Sequence, residues 1–335
     1  MQKLKNKFLL ILFVWMLAFA ACIMPMGASA ARCGDDVYLG GMPAGFTLGI
    51  GGVQVVGICE VLSENGVVNP AKDAGLSVGD VIVSLGGIKV SSAAEIDGVL
   101  ASYDGGTTEL AIERGTEKIK KEILPVKDMA SGKYKLGVFI RDSISGIGTV
   151  TFIRKDGRFA SLGHAVAASD GSYLPVEGGD IYRCSIVNVV KGERGKAGEL
   201  KGLFINDKVI AKADKNCAVG IYGKMGEADE WQLESIGTSE DAQPGKASIF
   251  TTVDGVTPVQ YSVSIIKVDK DNKQNKNFVI KITDKALLQA TGGIVQGMSG
   301  SPIVQNGKLI GAVTHVFIND PTRGYGTSVA NMIDQ

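Results

Sequence analysis

The chain has 335 residues, enough for two domains of ordinary size. Lys+Arg and Asp+Glu both number 35, so net charge gives no basis for binding nucleic acid or an acidic surface. Aromatic residues make up only 6%, which argues against a stacking platform for single strands, while 45 glycines point to many turns between short strands.

The N-terminus predicts export. Lys3, Lys5 and Lys7 form a basic stretch, Phe8 to Met24 is almost wholly apolar, Pro25 ends the run, and Ala28-Ser29-Ala30 supplies a small-residue cleavage site. Residues 1–30 are therefore expected to be a signal peptide or, since the run is nearly long enough to span a bilayer, a retained membrane anchor. Either way the rest of the chain is expected outside the cytoplasm. Cys33, Cys59, Cys184 and Cys217 follow without any C-x-x-C spacing, so no zinc site or other metal site is expected, and no cofactor is called for. Buried thiols are the expectation for these cysteines.

Residues 35–127 read as a first domain. Phe46-Thr47-Leu48-Gly49-Ile50 alternates apolar residues around a glycine and opens a strand-rich stretch. Asn69-Pro70-Ala71-Lys72-Asp73-Ala74-Gly75 has a capping Asn, a Pro at the first helical position and a Gly stop, which predicts one short helix. A strand is expected over Val81 to Leu85, and Ser92-Ala93-Ala94-Glu95 is a capping box ahead of Ile96, Val99 and Leu100 at helical spacing. Leu110 to Ile112 and Ile119 to Leu124 predict a hairpin turning near Arg114-Gly115.

This order of elements, with Ala74-Gly75-Leu76-Ser77-Val78-Gly79-Asp80-Val81-Ile82 after the first helix, resembles a PDZ domain. The resemblance implies that Leu48, Gly49 and Ile50 form a carboxylate-binding loop. Its N–H groups would hold the end of a peptide that adds as a strand beside the Ser92–Ser102 helix. The implied ligand is a peptide, either from a partner or from this chain.

Residues 128–335 carry short β-like runs and almost no long helical periodicity, which predicts an all-β barrel or sandwich. The pool of general bases is small, because the chain has two histidines. His164 follows a glycine turn in Ala160-Ser161-Leu162-Gly163-His164-Ala165-Val166, whereas His315 sits inside the strand-like Ala312-Val313-Thr314-His315-Val316-Phe317. An imidazole titrating near pH ~6.5 can take a hydroxyl proton and return it at neutral pH, and catalytic groups favour loops on a rigid scaffold. His164 is thus the preferred base and His315 the competitor. A carboxylate that fixes the imidazole tautomer is also expected. Asp284, between the alternating Phe278 to Thr283 and the apolar Ala286-Leu287-Leu288, is the leading candidate.

Gly297-Met298-Ser299-Gly300-Ser301-Pro302 sets a serine between glycines, so the backbone turns sharply, the hydroxyl projects, and nearby N–H groups converge. Asn306-Gly307 then sits between two apolar runs, a strong hairpin signal, which argues against the strand–elbow–helix of an α/β-hydrolase.

Taken together, the segments around His164, Asp284, Thr291 to Pro302 and Gly311 to Thr322 resemble the stage IV sporulation protein B serine peptidases. The resemblance implies a mainly β architecture: an N-terminal PDZ domain followed by a chymotrypsin-like double β-barrel peptidase. It implies a triad of His164 as base, Asp284 as orienting carboxylate and Ser299 as nucleophile, with the N–H groups of Gly297 and Ser299 as oxyanion hole. It also implies an exported, membrane-associated or released sporulation signalling protease. Such a protease would cleave a membrane-tethered regulator of an intramembrane protease, so that a sigma-factor precursor is processed, and would cut itself near the N-terminus. The rival readings are a non-catalytic PDZ scaffold and an envelope quality-control protease, the latter disfavoured because its PDZ would follow the protease.

Overall fold

The computed structural model describes residues 34–167, 173, 178–225 and 233–335. The expected signal or anchor and Cys33 lie outside these residues. Among the described residues no helix is long and apolar enough to cross a membrane. The fold is mainly β and contains one closed barrel, formed by Gly245–Thr251, Val259–Val268, Phe278–Ile282, Arg323–Ser328, Lys308–Val316 and Pro302–Gln305 in pairing order. Period-two alternation builds its interior: in Phe278–Ile282 the first, third and fifth side chains are buried. They join Ile249, Val263, Ile303 and Val313 in one core. The expected hairpin is present, with Gln305 opposite Lys308 and Asn306 and Gly307 both at positive φ (52° and 69°), the conformation that a two-residue turn between twisted strands requires.

A larger sheet holds Pro43–Ile58, Val138–Ile153, Arg158–Ser161, Gly220–Met225, Glu199–Cys217 and Gly179–Val190, each paired with the next and the last again with the first. Phe46, Leu48, Val150, Phe159, Ile181 and Ile221 fill a second core. A third core gathers Val53, Val55, Ala71, Ile82, Ile96, Leu100, Leu110, Ile112 and Ile123. The predicted short elements supply it. Helix Pro70–Asp73 is capped by Asn69, helix Ala93–Ala101 carries the full Ser92/Glu95 capping box, and Thr108–Arg114 pairs with Glu117–Ile123.

Two 16-residue strands pass from the second core into the third. Pro43–Ile58 buries Phe46 and Leu48 in one and Val53 and Val55 in the other, and Val138–Ile153 pairs antiparallel with it on either side of a register break at Ile50–Val53. Leu48, Gly49 and Ile50 therefore lie inside a strand and not in a loop. Leu48 pairs with Ile144 on one edge and Gly179 on the other, and the Gly49 N–H donates to the Gly178 carbonyl at 3.2 Å. The expected carboxylate-binding loop is corrected on this point: its three residues sit in a strand, and ladder bonds already occupy the backbone of Leu48 and Gly49. Alternation around a glycine reads alike in both settings, and the pairing partners lie about a hundred residues downstream.

Candidate active site

A cavity of about 570 Å³ lies between the second core and the closed barrel. Phe46, Leu48, Ile147 and Leu162 line one side, Ile294 and Val316 the other, and Ser299, His164, Thr314 and His315 share it. No Asp, Glu, Lys or Arg is among its described lining residues.

The serine loop is held by backbone carbonyls. Gly297 and Gly300 adopt φ +97° and +95°, which L side chains rarely tolerate. Thr149, on Val138–Ile153, donates its N–H to the Ser299 carbonyl at 3.0 Å and its hydroxyl to the Gly297 carbonyl at 2.8 Å. Thr151 on the same strand donates its hydroxyl to the Gly300 carbonyl at 2.8 Å.

Two neighbouring peptide planes are fixed as well. The Gln296 carbonyl accepts from the Leu200 N–H at 2.9 Å, and the Met298 carbonyl accepts from the Ser301 N–H at 3.0 Å and its hydroxyl at 2.7 Å. A trans peptide is planar, so pinning its carbonyl on one side points its N–H to the other. The N–H groups so aimed are those of Gly297 and Ser299, and neither finds an acceptor among the described residues. Pinned, unpaired donors beside a serine hydroxyl are what an oxyanion needs.

The Ser299 hydroxyl itself donates to the Thr314 carbonyl at 2.7 Å. His164 follows a three-residue turn in which Leu162 takes φ +66° and the Gly163 N–H reaches back to the Ser161 carbonyl at 2.8 Å. A leucine at positive φ is strained, and such strain gathers at functional sites. His164 Nδ1 lies 2.8 Å from the Ala165 carbonyl. A carbonyl can only accept, so Nδ1 carries the proton and Nε2 keeps the lone pair that a general base uses. Burial pushes the His164 pKa below its ordinary 6.5, partly offset by the Ala165 carbonyl. The His315 ring stands 4.8 Å from that of His164, tilted by 39°. Burial, followed by the charges of His164 and Lys276, pushes its pKa down to about 4.

Asp284 is placed differently from the sequence expectation. It caps helix Lys285–Thr291, accepting the Leu287 N–H at 3.0 Å and the Ser262 N–H at 3.4 Å. It does not line the cavity or bond His164, whose tautomer is set by the Ala165 carbonyl instead. An aspartate at a strand end before an apolar helix reads as a buried carboxylate or as an N-cap, and here the backbone donors claim it. Asp284→Asn is thus expected to keep both melting temperature and turnover near wild type, because Asn caps as well as Asp. Asp284→Ala is expected to lose about 1 kcal/mol of stability in thermal melts. A collapse of turnover in the Asn variant with an unchanged melt would return the carboxylate to the catalytic machinery.

Thr149, the Ala165 carbonyl and the Thr314 carbonyl were missed by sequence reasoning. Two act through backbone atoms that every residue carries, and Thr149 carries no motif signal.

The family model described as SpoIVB peptidase S55 matches residues 132–333, a span that holds Thr149, His164, Asp284 and Ser299. A serine protease HTRA1 from Xenopus tropicalis is 39% identical over 56 residues, 17% of this chain and 12% of that protein. The chain thus matches only about an eighth of that relative's length.

Proposed function

We infer, for a chain that belongs to the SpoIVB peptidase S55 family, that it is a serine endopeptidase with Ser299 as nucleophile and His164 as general base. The observation that carries this reading is the pair of pinned, unpaired N–H groups of Gly297 and Ser299 flanking a hydroxyl in the cavity that His164 shares. In turnover the Ser299 hydroxyl leaves the Thr314 carbonyl and turns to His164. Oγ attacks the scissile carbonyl while Nε2 takes its proton, and the two N–H groups receive the oxyanion. The imidazolium then protonates the departing amine, and water, activated by the same nitrogen, releases the acyl group and restores the serine. The apolar cavity suits an uncharged, apolar substrate side chain beside the cut.

The ring of six paired strands is read as a second barrel, which with the closed barrel makes a chymotrypsin-like pair with the cleft between them. The unit around Val53, Ile82 and Leu110 is read as a PDZ domain set between two strands of that ring. The finer role is an exported sporulation signalling protease, in the space between forespore and mother cell, that cuts a membrane-tethered regulator and its own N-terminal region. Its support is the family membership and the apolar N-terminal run ending in Ala28-Ser29-Ala30.

A fluorophosphonate probe tests the enzymatic core. Labelling of the full chain that disappears in Ser299→Ala, with the melting temperature retained, is the expected result. Labelling that persists in Ser299→Ala, or a wild-type chain that never labels, overturns the assignment.

A further inference from the structure

The chain's two histidines both line the cavity that holds Ser299, and the fold alone brings them together, since they lie far apart in sequence. Their ring centroids stand 4.8 Å apart with the planes tilted by 39°. His164 gives its Nδ1 proton to the Ala165 carbonyl at 2.8 Å, which leaves the Nε2 lone pair without a partner. Neither ring nitrogen of His315 finds a hydrogen-bond partner among the described residues. His315 is also exposed, so a small ion can reach the pair from solvent. Ring packing is the plainer account of the contact, but it uses none of these nitrogens.

A metal-bound imidazole ordinarily donates its second N–H to a carboxylate or a backbone carbonyl, which orients the ring and raises its basicity. The Ala165 carbonyl does this for His164. Two imidazoles bound through nitrogen to one tetrahedral cation, at ~2.0 Å per bond, have ring centroids about 5 Å apart. The observed 4.8 Å is close to that span. Charge sets the class of cation. The described lining of the cavity holds no carboxylate, and among the described residues no three His, Cys, Asp or Glu stand together as a ligand set. A hard cation such as Mg²⁺ or Ca²⁺, which needs several oxygens, therefore has nothing to bind. A borderline cation such as Zn²⁺ or Cu²⁺ takes imidazole readily, and water or the Ser299 oxygen completes its shell. With two protein ligands the site is open and its occupant exchanges. The Lys276 ammonium, 5.1 Å over the Tyr325 ring, is near enough to lower the His315 pKa and so weakens cation binding without blocking it.

We propose that His164 and His315 form an inhibitory site for a borderline divalent cation of the zinc class, which silences the peptidase reversibly. The cation takes the Nε2 lone pair that otherwise accepts the Ser299 proton, and His315 supplies the second bond. This inference rests on the peptidase reading given above, in which His164 is the base. No change of fold is needed. The serine loop and its pinned N–H groups stay in place, and only the proton acceptor is withdrawn.

The test uses the full chain without an added histidine tag and reads the rate of fluorophosphonate labelling in the presence of Zn²⁺. At ~100 μM Zn²⁺ the wild type is expected to label about tenfold more slowly, EDTA to restore the rate, and Mg²⁺ at ~1 mM to leave it unchanged. His315→Ala, compared with its own metal-free rate, is expected to need at least about tenfold more Zn²⁺ for the same slowing. A wild-type rate that Zn²⁺ leaves unchanged, or equal slowing in His315→Ala, overturns the proposal. The visible absorption of bound Co²⁺ reads the pair without turnover. In Ser299→Ala a component of that absorption is expected to disappear when His315→Ala is added, while the chain's thiols are common to both variants and cancel. Absorption that is the same with and without His315 overturns the proposal as well. A wild type that never labels, with the His315-dependent Co²⁺ signal present, would instead remove the peptidase reading and leave the cation site standing.

Discussion

Replacement of His164 by alanine is expected to lower kcat/KM by about 10³-fold or more, with the fold retained and KM little moved. Ser299 would keep its oxyanion donors but lose the nitrogen that takes its proton. The pH profile carries a second signature. A base must be unprotonated, so activity is full above the His164 pKa and falls as pH drops through it. Burial sets that pKa below 6.5, so the acid limb of kcat/KM should lie on the acid side of 6.5. His315, held down to about 4, is itself neutral at neutral pH. An acid limb abolished by His315→Ala while His164→Ala stays active would reverse the roles of the two histidines.

Gly300→Ala is expected to damage the site nearly as much by another route. A Cβ on Gly300 would stand 2.1 Å from the Thr149 carbonyl oxygen and 2.5 Å from the Leu162 nitrogen, at a φ of +95°. These are backbone atoms, from the strand that clamps the serine loop and from the turn that carries His164. Relief would have to separate nucleophile from base. The expected cost is about 4 kcal/mol in denaturant unfolding, with loss of fluorophosphonate labelling. Gly307→Ala serves as control: its φ is +69° but nothing lies within 4 Å of its Cβ, so about 1 kcal/mol and full labelling are expected.

Local signals were legible where the cause is local. The Asn69 cap, the Ser92–Glu95 capping box and the Asn306-Gly307 turn each depend on residues within four positions of one another, and each forms where the sequence placed it. The loop positions of Ser299 and His164 were readable for the same reason, since glycines beside them permit the turns that expose them.

The sequence by itself determined a mainly β chain with a glycine-framed serine, a loop histidine and two capped helices, because propensity, capping and turn geometry act over a few residues. Only the tertiary structure decided that Leu48-Gly49-Ile50 is a strand within a larger ring, that Asp284 caps a helix, and that the Ala165 carbonyl fixes the His164 tautomer. The first depends on strands that meet across about a hundred residues, and the other two on which nearby backbone donor or acceptor the folded chain turns toward the side chain. Every residue carries the same backbone groups, so no side-chain pattern announces their partners.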